Sequence, residues 1–519
     1  MNPVHEPGLG ADEGMRVTMK AEVDTRALLP ERDVKRNRVR LLVTIVLVGT
    51  LASIAWHYVS GFYLGQGYPQ STFLYAPDLH FSDWRYVYIY AQKFVRGVPW
   101  QFGYFPFGSL TAVTSTVVRA SVGFILMVVL FLGVLALILR RFVFDCEEHA
   151  LTRAQGIVIL VGLSYPVLFV LDRGNMEMLV FAFIAGFFYF TYVRERPWMA
   201  ALCLAAAIAF KLYPATLLLV LLAERRFKPL VLTVIITGGL TAISVGLLAV
   251  VGHFSLADVV QMDIGGKGVF MHGTVAGAAV EGTHSLWDLV GLWKMLRQAG
   301  VTEWSTKMYA VAAAATFLGL VVYAVFRETE RWKIVLLATV PGLLLPYFSA
   351  DYTLIQLYFP LVFFLNARRV SRWDVVYVAL FGILLVPVDY YHIRGEISIS
   401  VIVYPAAMVA LVLLAILDVQ RTAGHLNGEH SDNREGQTRT WRRGLRSPVD
   451  ANEPGSSGDR RPLNIDPIAE GVVSCRISTR LQQRLVGRAD VAEVARVHDD
   501  LDAFVRRRKF AQDRDGLVL

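Results

Sequence analysis

Long uninterrupted runs of apolar residues limit the folds open to this sequence more than any other feature. A helix needs roughly 20 such residues to cross the hydrocarbon core of a bilayer, which is about 30 Å thick. The clearest runs are residues 41–60, 121–139, 229–251, 310–326 and 401–417. The mean hydropathy of +0.47 agrees with them. We therefore predict an all-α polytopic membrane protein, since helices satisfy their own backbone hydrogen bonds in lipid.

Basic residues cluster in short loops, and such loops lie on the cytoplasmic side of a membrane. The clusters fall near residues 35–40, 140–141, 194–196, 224–228, 327–333 and 368–372. An even number of crossings must separate any two of them. The pattern therefore predicts about 12 transmembrane helices with both termini in the cytoplasm. It also predicts external loops at residues 61–119 and 252–306, with short external turns at 349–351 and 389–396.

Two apolar stretches fit this topology only if each of them is interrupted. Polar residues 172–175 divide the stretch 151–192 into two spans. The stretch 198–223 is long enough for one span but has basic residues at both ends, which favours a broken or re-entrant pair of helices. We expect the turn at residues 211–214, because Pro214 removes a backbone donor and disfavours helix immediately before it.

Composition divides the chain into three parts. Residues 1–40 form a cytoplasmic N-terminal segment, residues 41–420 form the transmembrane domain, and residues 421–519 form a largely flexible, basic cytoplasmic tail. Residues 477–510 have helical periodicity and many arginines, which suits either an amphipathic helix on the inner leaflet or a weakly ordered tail. The net charge of +8 comes from short loops and the tail, so membrane lipids are the expected partners and nucleic acid is not.

The first external loop holds two carboxylates, Asp78 and Asp83, before a helical stretch at residues 84–95. Asp83 could act as a general base toward a hydroxyl group, or it could cap the helix N-terminus. Asp78, His80 and Asp83 could chelate a metal ion, but nothing nearby completes the site, so we predict no metal and no cofactor. Tyr86 belongs to an aromatic group that suits either stacking on a sugar ring or an interfacial belt.

Ionisable residues between apolar helices form the second candidate group. Arg173 and Asn175 lie close to Asp172 and Glu177, and such groups at that depth pair with each other or bind a polar ligand. An ion pair of Arg173 with Asp172 or Glu177 that only pins the hairpin is the simpler alternative. Lys211 follows a strongly apolar segment and needs an anion, for which a lipid phosphate is a candidate. Extension of the side chain to the membrane interface is the alternative.

Two further candidates lie at predicted external positions. His284 precedes a helical run in the second long loop and could donate a hydrogen bond to a phosphate or sugar oxygen, or could be merely solvated. Asp351 lies at the outer end of another span. Its carboxylate could accept a hydrogen bond from a substrate hydroxyl, or it could cap a helix.

Six motifs in one order carry a resemblance to a known family. They are SDWRYVYIYAQKFVRGVPW, FGYFPFGSL, DRGNMEML, FKLYPATLLLVLLAERR, THSLWDLV and FSADYTLIQLYFP. In their order and spacing they resemble the C-superfamily membrane glycosyltransferases, most closely family 87, which includes polyprenyl-phosphate-mannose-dependent mannosyltransferases. The sequence differs at Phe105-Pro106-Phe107, where the family usually has two prolines. It also has Asp172-Arg173-Gly174-Asn175 where the family often has Gly-Gln-x-Asn.

The resemblance implies an inverting glycosyltransferase of the C-superfamily fold in the plasma membrane. It would move a sugar, with mannose as the first choice, from a polyprenyl-phosphate-linked donor to an external glycan or glycolipid acceptor. The family's catalytic aspartate falls on Asp83, and Lys211, assisted by Arg173 or His284, would stabilise charge on the leaving phosphate. A transporter or flippase of lipid-linked saccharides is the alternative function. A polymerase or ligase that uses lipid-linked oligosaccharides is the third.

Overall fold

The computed structural model describes residues 12–65, 80–100, 103–147, 149–264, 282–290, 303–388, 391–394 and 397–419. Asp78, the C-terminal tail and parts of both long external loops lie outside these residues. The predictions made for them, including the amphipathic helix at residues 477–510, therefore stay predictions.

The described residues are almost entirely helical. The first helices are α1 (Asp12–Tyr58), α2 (Ser82–Val95), α3 (Pro106–Ser115), α4 (Ala120–Ile138), α5 (Ala150–Gly162), α6 (Tyr165–Arg173), α7 (Glu177–Tyr192), α8 (Pro197–Phe210), α9 (Leu218–Ala223), α10 (Phe227–Gly252) and α11 (residues 256–264). The later ones are α12 (residues 286–290), α13 (Glu303–Phe326), α14 (Arg331–Leu344), α15 (Tyr358–Leu365), α16 (Asp374–Leu385) and α17 (Ser400–Val419).

Short irregular elements extend or connect these helices. Turns of π-helix continue α1 (Val59–Tyr63) and α4 (Leu139–Val143), and 3₁₀-helices precede α9 (Tyr213–Leu217) and α15 (Asp351–Leu357). The strands β1 (His392–Arg394) and β2 (Ile397–Ser398) form a small antiparallel hairpin before α17.

Within the described residues, five helical segments are long and apolar enough to cross a membrane, and each coincides with one of the five predicted runs. They are Arg32–Tyr63, Ala120–Val143, Phe227–Gly252, Trp304–Phe326 and Ser400–Asp418. Helices α5 and α6 make a sixth candidate if the two, which meet at an angle of 53°, count as one span. Several shorter apolar helices lie among the described residues. The prediction of about 12 crossings is therefore not confirmed, whereas the prediction of a helical membrane protein is.

Both predicted interruptions occur where the polar residues lie. Helix α6 ends at Arg173, the residue after it, Gly174, has a left-handed φ of 63°, and α7 begins at Glu177. Helix α8 ends at Phe210, and Lys211 is extended, with φ −142° and ψ 143°. The 3₁₀-helix that follows contains Pro214 in its first turn. These two breaks place polar side chains and open backbone next to each other inside the helical bundle.

The packing around these breaks is dense because the helices there have small or uniformly apolar surfaces. Helix α8 contacts both α7 and α10, and its alanines, which include Ala201, Ala205 and Ala209, are buried and allow close approach of the backbones. Every residue of α14 from Trp332 to Leu344 is buried. The one charged residue in this stretch, Lys333, donates to the Asp418 carboxylate at 3.0 Å. A helix that is otherwise apolar around its circumference belongs in the centre of a bundle.

One buried arginine ties the first span to the C-terminal helices. Arg38 is 4% exposed and donates hydrogen bonds to the Asp374 carboxylate at 2.6 and 3.0 Å. It also donates to the backbone carbonyls of Phe364, Ala367 and Arg369. A charged group can be buried when its donors are satisfied in this way. This end of the bundle is therefore held by polar contacts as well as by apolar packing.

Candidate active site

The start of α2 is held against the end of α6 by backbone contacts. Phe81 has a left-handed φ of 56°, and its N–H donates to the Asp172 carbonyl at 2.6 Å. A Cβ atom at Gly174 would lie 3.1 Å from Trp84 Cβ and 3.3 Å from Phe81 Cα, so only glycine fits this approach without strain. The close contact brings the first turn of α2, and with it Asp83, to the break between α6 and α7.

Asp83 binds two side chains from that break. Its Oδ1 accepts a hydrogen bond from Arg173 Nη2 at 2.6 Å, and its Oδ2 accepts one from Asn175 Nδ2 at 2.6 Å. The helix N-cap position belongs to Phe81, so the interpretation of Asp83 as the N-cap is wrong. The Asp83 side chain keeps 20% of its surface exposed. A carboxylate oriented by two donors, and still open on one side, can meet a substrate hydroxyl.

Asn175 connects Asp83 to a second ion pair. While its Nδ2 group donates to Asp83, its Oδ1 accepts hydrogen bonds from the Glu177 N–H at 2.9 Å and from Lys211 Nζ at 3.4 Å. These partners determine which end of the amide is oxygen and which is nitrogen. The Asn175 side chain therefore bridges the Asp83 carboxylate and the Lys211 ammonium group.

Glu177 is the fully buried centre of the second pair. One of its carboxylate oxygens accepts from Lys211 Nζ at 2.7 Å. The other accepts from the Tyr213 hydroxyl and from Gln356 Nε2, the latter at 2.6 Å. Glu177 is also the first residue of α7, where the helix dipole favours a negative charge. The desolvated carboxylate is thus stabilised on every side.

Lys211 therefore has a counter-ion within the chain, and the premise that it needs one from a ligand is wrong. Its Nζ also lies over the rings of Tyr104 and Tyr352, 5.2 and 4.9 Å from their centroids. The Lys211 side chain is 16% exposed and Arg173 is 18% exposed, whereas Glu177 has no exposed surface. The two cations thus retain a surface through which a further anion could approach.

His284 and Asp351 form a separate buried cluster behind this site. The Thr283–Ala350 bridge joins their two segments, and His284 Nδ1 lies 2.7 Å from an Asp351 oxygen. His284 Nε2 lies 3.0 Å from the Ser349 hydroxyl. Both side chains are fully buried. Asp351 starts the 3₁₀-helix that carries Tyr352 and Gln356, so this cluster reaches the site through those two side chains rather than directly.

Burial shifts the acidity of this cluster. It lowers the pKa of His284 to about 3, so the imidazole is neutral near pH 7. It raises the pKa of Asp288 to about 6, although that carboxylate accepts hydrogen bonds from the Ser285 N–H and hydroxyl, which oppose the shift. A neutral, fully enclosed His284 supports the fold next to the site, and its two ring nitrogens are already engaged.

The remaining candidates lie around the mouth of the site. The His80 ring contacts the Asp172 carboxylate, away from Asp83. In the parts of the chain that the structure describes, no group of three or more histidine, cysteine or acidic side chains could hold a metal ion. Tyr86 is 51% exposed and its ring centroid is 4.3 Å from that of Tyr90, which in turn stacks on Trp100 at 6.4 Å. These three rings form an aromatic row that runs from α2 to Trp100 in the loop after it.

Sequence reasoning named Arg173, Asn175 and Lys211, and the structure brings all three together with Asp83. It gave Glu177 only as a partner for Arg173, and it missed Gln356 altogether. The signal for Glu177 was present, since a carboxylate in an apolar hairpin requires a partner. Gln356 gave no such signal, because a single glutamine in an apolar run has many structural uses.

Comparison with known families supports the motif-based resemblance. Residues 102–346 match the family model of glycosyltransferase family 87, which confirms the resemblance and implies a glycosyltransferase. The matched segment includes Arg173, Asn175, Glu177 and Lys211, while Asp83 precedes it. A search of curated proteins gave no match to this chain.

Proposed function

We propose that this membrane glycosyltransferase is an inverting enzyme that moves a sugar, mannose in the first instance, from a polyprenyl-phosphate donor to a glycan or glycolipid acceptor. The observation that carries the proposal is the Asp83 carboxylate. Two hydrogen bonds orient it, one side of it is open, and one asparagine separates it from the partly exposed Lys211. A base and a cation at this spacing suit the two ends of a sugar transfer.

In the proposed reaction, an acceptor hydroxyl donates a hydrogen bond to Asp83. The hydroxyl oxygen attacks the anomeric carbon on the face opposite the phosphate, and Asp83 takes up the proton. As the new C–O bond forms, the bond between the anomeric carbon and the phosphate oxygen breaks, and polyprenyl phosphate leaves with the electron pair. One displacement inverts the anomeric configuration. A base in this position accelerates such a step by roughly 10²- to 10⁴-fold.

Lys211 and Arg173 would stabilise the negative charge that develops on the leaving phosphate. Preorganised cations cost little reorganisation during the reaction, and Glu177 and Asp83 hold these two in place. Because each cation is already paired with a carboxylate, the resting site is close to neutral. Such a site does not bind a free anion from solution strongly, so the donor, a singly charged phosphodiester, does not have to displace one.

The aromatic row of Tyr86, Tyr90 and Trp100 is the proposed platform for a sugar ring of the acceptor. Tyr86 and Tyr90 lie on the same helix as Asp83, in the turns that follow it, and the buried Trp100, beyond the end of α2, stacks on Tyr90. We further propose that this site faces the external side of the plasma membrane and that both termini are cytoplasmic, since basic loops mark the cytoplasmic side of a membrane. A lipid-linked donor reaches such a site from within the bilayer.

The test is transfer of radiolabelled mannose from polyprenyl-phosphate-mannose in membranes that contain the wild-type protein, the Asp83→Asn variant or the Asp258→Asn variant. Asp258 is the matched control, because it is an exposed carboxylate bound to Ser255 at the start of α11. We expect Asp83→Asn to lose at least 10²-fold in activity at equal expression, and Asp258→Asn to retain it.

Activity that survives in Asp83→Asn would remove Asp83 from the role of base. A wild-type protein that transfers no mannose would refute this donor and direct the search to another lipid-linked sugar. If purified protein instead moves a lipid-linked saccharide between leaflets, and does so equally well with Asp83→Asn, the transporter alternative replaces the transferase.

A further inference from the structure

A cleft of about 940 Å³ lies between α4, α7 and α15, apart from the site described above. Its walls are mostly apolar and include Leu137 and Phe363. Two small residues of α7, Ala182 and Ala185, line it three residues apart on one face of the helix and take up little of this space. Cavities of 300–1,000 Å³ with apolar walls are typical of sites for small organic ligands.

One end of the cleft carries charge. Arg141, in the π-helical turn that continues α4, and Arg194, just after α7, are both exposed and line this end together with Glu195. The Arg194 side chain donates to the Tyr189 hydroxyl at 2.7 Å, which orients its guanidinium group. Two arginines and one glutamate leave this end with one net positive charge.

The position of the cleft in the membrane follows from α4, which belongs to the most apolar of the candidate spans, with a mean hydropathy of 3.2. Guanidinium groups at the end of such a span belong at the membrane interface, because burial in hydrocarbon is costly. The apolar part of the cleft is therefore at the depth of acyl chains, while its charged end is at the depth of lipid headgroups.

We propose that this cleft binds one anionic glycerophospholipid, with its phosphate between Arg141 and Arg194 and an acyl chain along the small residues of α7. Arginine is suited to this ligand because its planar group binds phosphate through paired hydrogen bonds. The site lies at the end of α7 opposite Glu177, and the 16 residues of that helix separate the two ends by about 24 Å. The bound lipid is thus distinct from the proposed sugar donor, and its binding does not depend on the proposed reaction.

The experiment is native mass spectrometry of the purified full-length protein, titrated separately with dioleoylphosphatidylglycerol and dioleoylphosphatidylcholine. We expect one saturable lipid adduct with a preference for phosphatidylglycerol. Each arginine at an anionic lipid surface contributes a factor of about 5 in affinity, so the double variant Arg141→Gln/Arg194→Gln should lose roughly 30-fold toward this lipid. Its affinity for phosphatidylcholine should fall much less, because the choline cation of that lipid offsets the charge of its phosphate.

Two further variants keep the result interpretable. Arg140→Gln/Arg196→Gln removes the same number of charges from neighbouring exposed positions that do not line the cleft, and we expect wild-type lipid binding. Ala182→Phe fills the apolar part while leaving both arginines in place, and we expect it to abolish the saturable adduct. Equal binding of both lipids by the wild type, equal losses in the two double variants, or unchanged binding by Ala182→Phe would each overturn the proposal.

Discussion

The buried ion pair between Glu177 and Lys211 offers the sharpest test of the site's electrostatics. Glu177→Gln leaves Lys211 without its counter-ion, and Lys211→Met leaves Glu177 as an isolated buried carboxylate. Breaking a buried pair by removing one partner costs about 3–5 kcal/mol. Lys211 is 16% exposed and can recruit water, whereas Glu177 has no exposed surface. We therefore expect a loss of about 3 kcal/mol for Glu177→Gln and about 5 kcal/mol for Lys211→Met.

The double variant Glu177→Gln/Lys211→Met removes both charges and restores a neutral site. We expect it to lose about 5 to 6 kcal/mol rather than the roughly 8 kcal/mol of additive losses, which corresponds to a coupling free energy of about 2 to 3 kcal/mol. The measurement is reversible unfolding of the four purified proteins in mixed micelles with increasing sodium dodecyl sulfate. The four free energies of unfolding then form a double-mutant cycle.

The cycle has a clear refuting result. If the losses of the two single variants simply add in the double variant, Glu177 and Lys211 do not interact in the folded protein. If Glu177→Gln costs more than Lys211→Met, the difference in exposure does not determine the penalty. Inorganic phosphate provides a second readout, because it should stabilise Glu177→Gln, whose lysine needs an anion, more than the wild type.

Two further perturbations test the surroundings of the site. Gly174→Ala places a Cβ at a φ of 63° in close contact with α2 and should cost about 1 to 2 kcal/mol in thermal unfolding, whereas the helical Gly133→Ala meets no neighbour within 4 Å and should not destabilise. Because burial lowers the pKa of His284, its contribution to the free energy of unfolding is complete above pH 6.5, the pKa in the unfolded chain. The contribution falls as the pH drops toward about 3, the pKa in the folded protein. Between pH 7.5 and pH 5.0 the wild type should thus lose about 2 kcal/mol that His284→Gln does not lose, a difference that thermal unfolding at both pH values measures. The raised pKa of Asp288 acts in the opposite direction but equally in both proteins, and equal pH dependence of the two would contradict the assignment to His284.

Local sequence determined the spans and the breaks between them. Each of the five apolar runs is a helix of the expected length, because hydrophobicity over 20 residues is a property of the segment itself. The helix predicted at residues 84–95 is α2, and the break predicted at residues 211–214 separates α8 from the following 3₁₀-helix. Proline removes a donor whatever surrounds it, so this break could be predicted without a partner. The number of crossings could not be predicted from the sequence, because apolar helices too short to cross the membrane alone can be combined into spans in more than one way.

The tertiary structure decided which polar groups meet. The sequence identified Asp83 as a carboxylate in an external loop, and Asn175 and Lys211 as polar residues in apolar surroundings. Their contacts join positions 36 to 92 residues apart. Lys211 drew attention as an unpaired cation, and only the fold showed that Glu177 neutralises it. Burial and hydrophobicity act on each residue separately and so can be read along the chain, whereas an ion pair depends on the distance between two side chains, which exists only once the helices have packed.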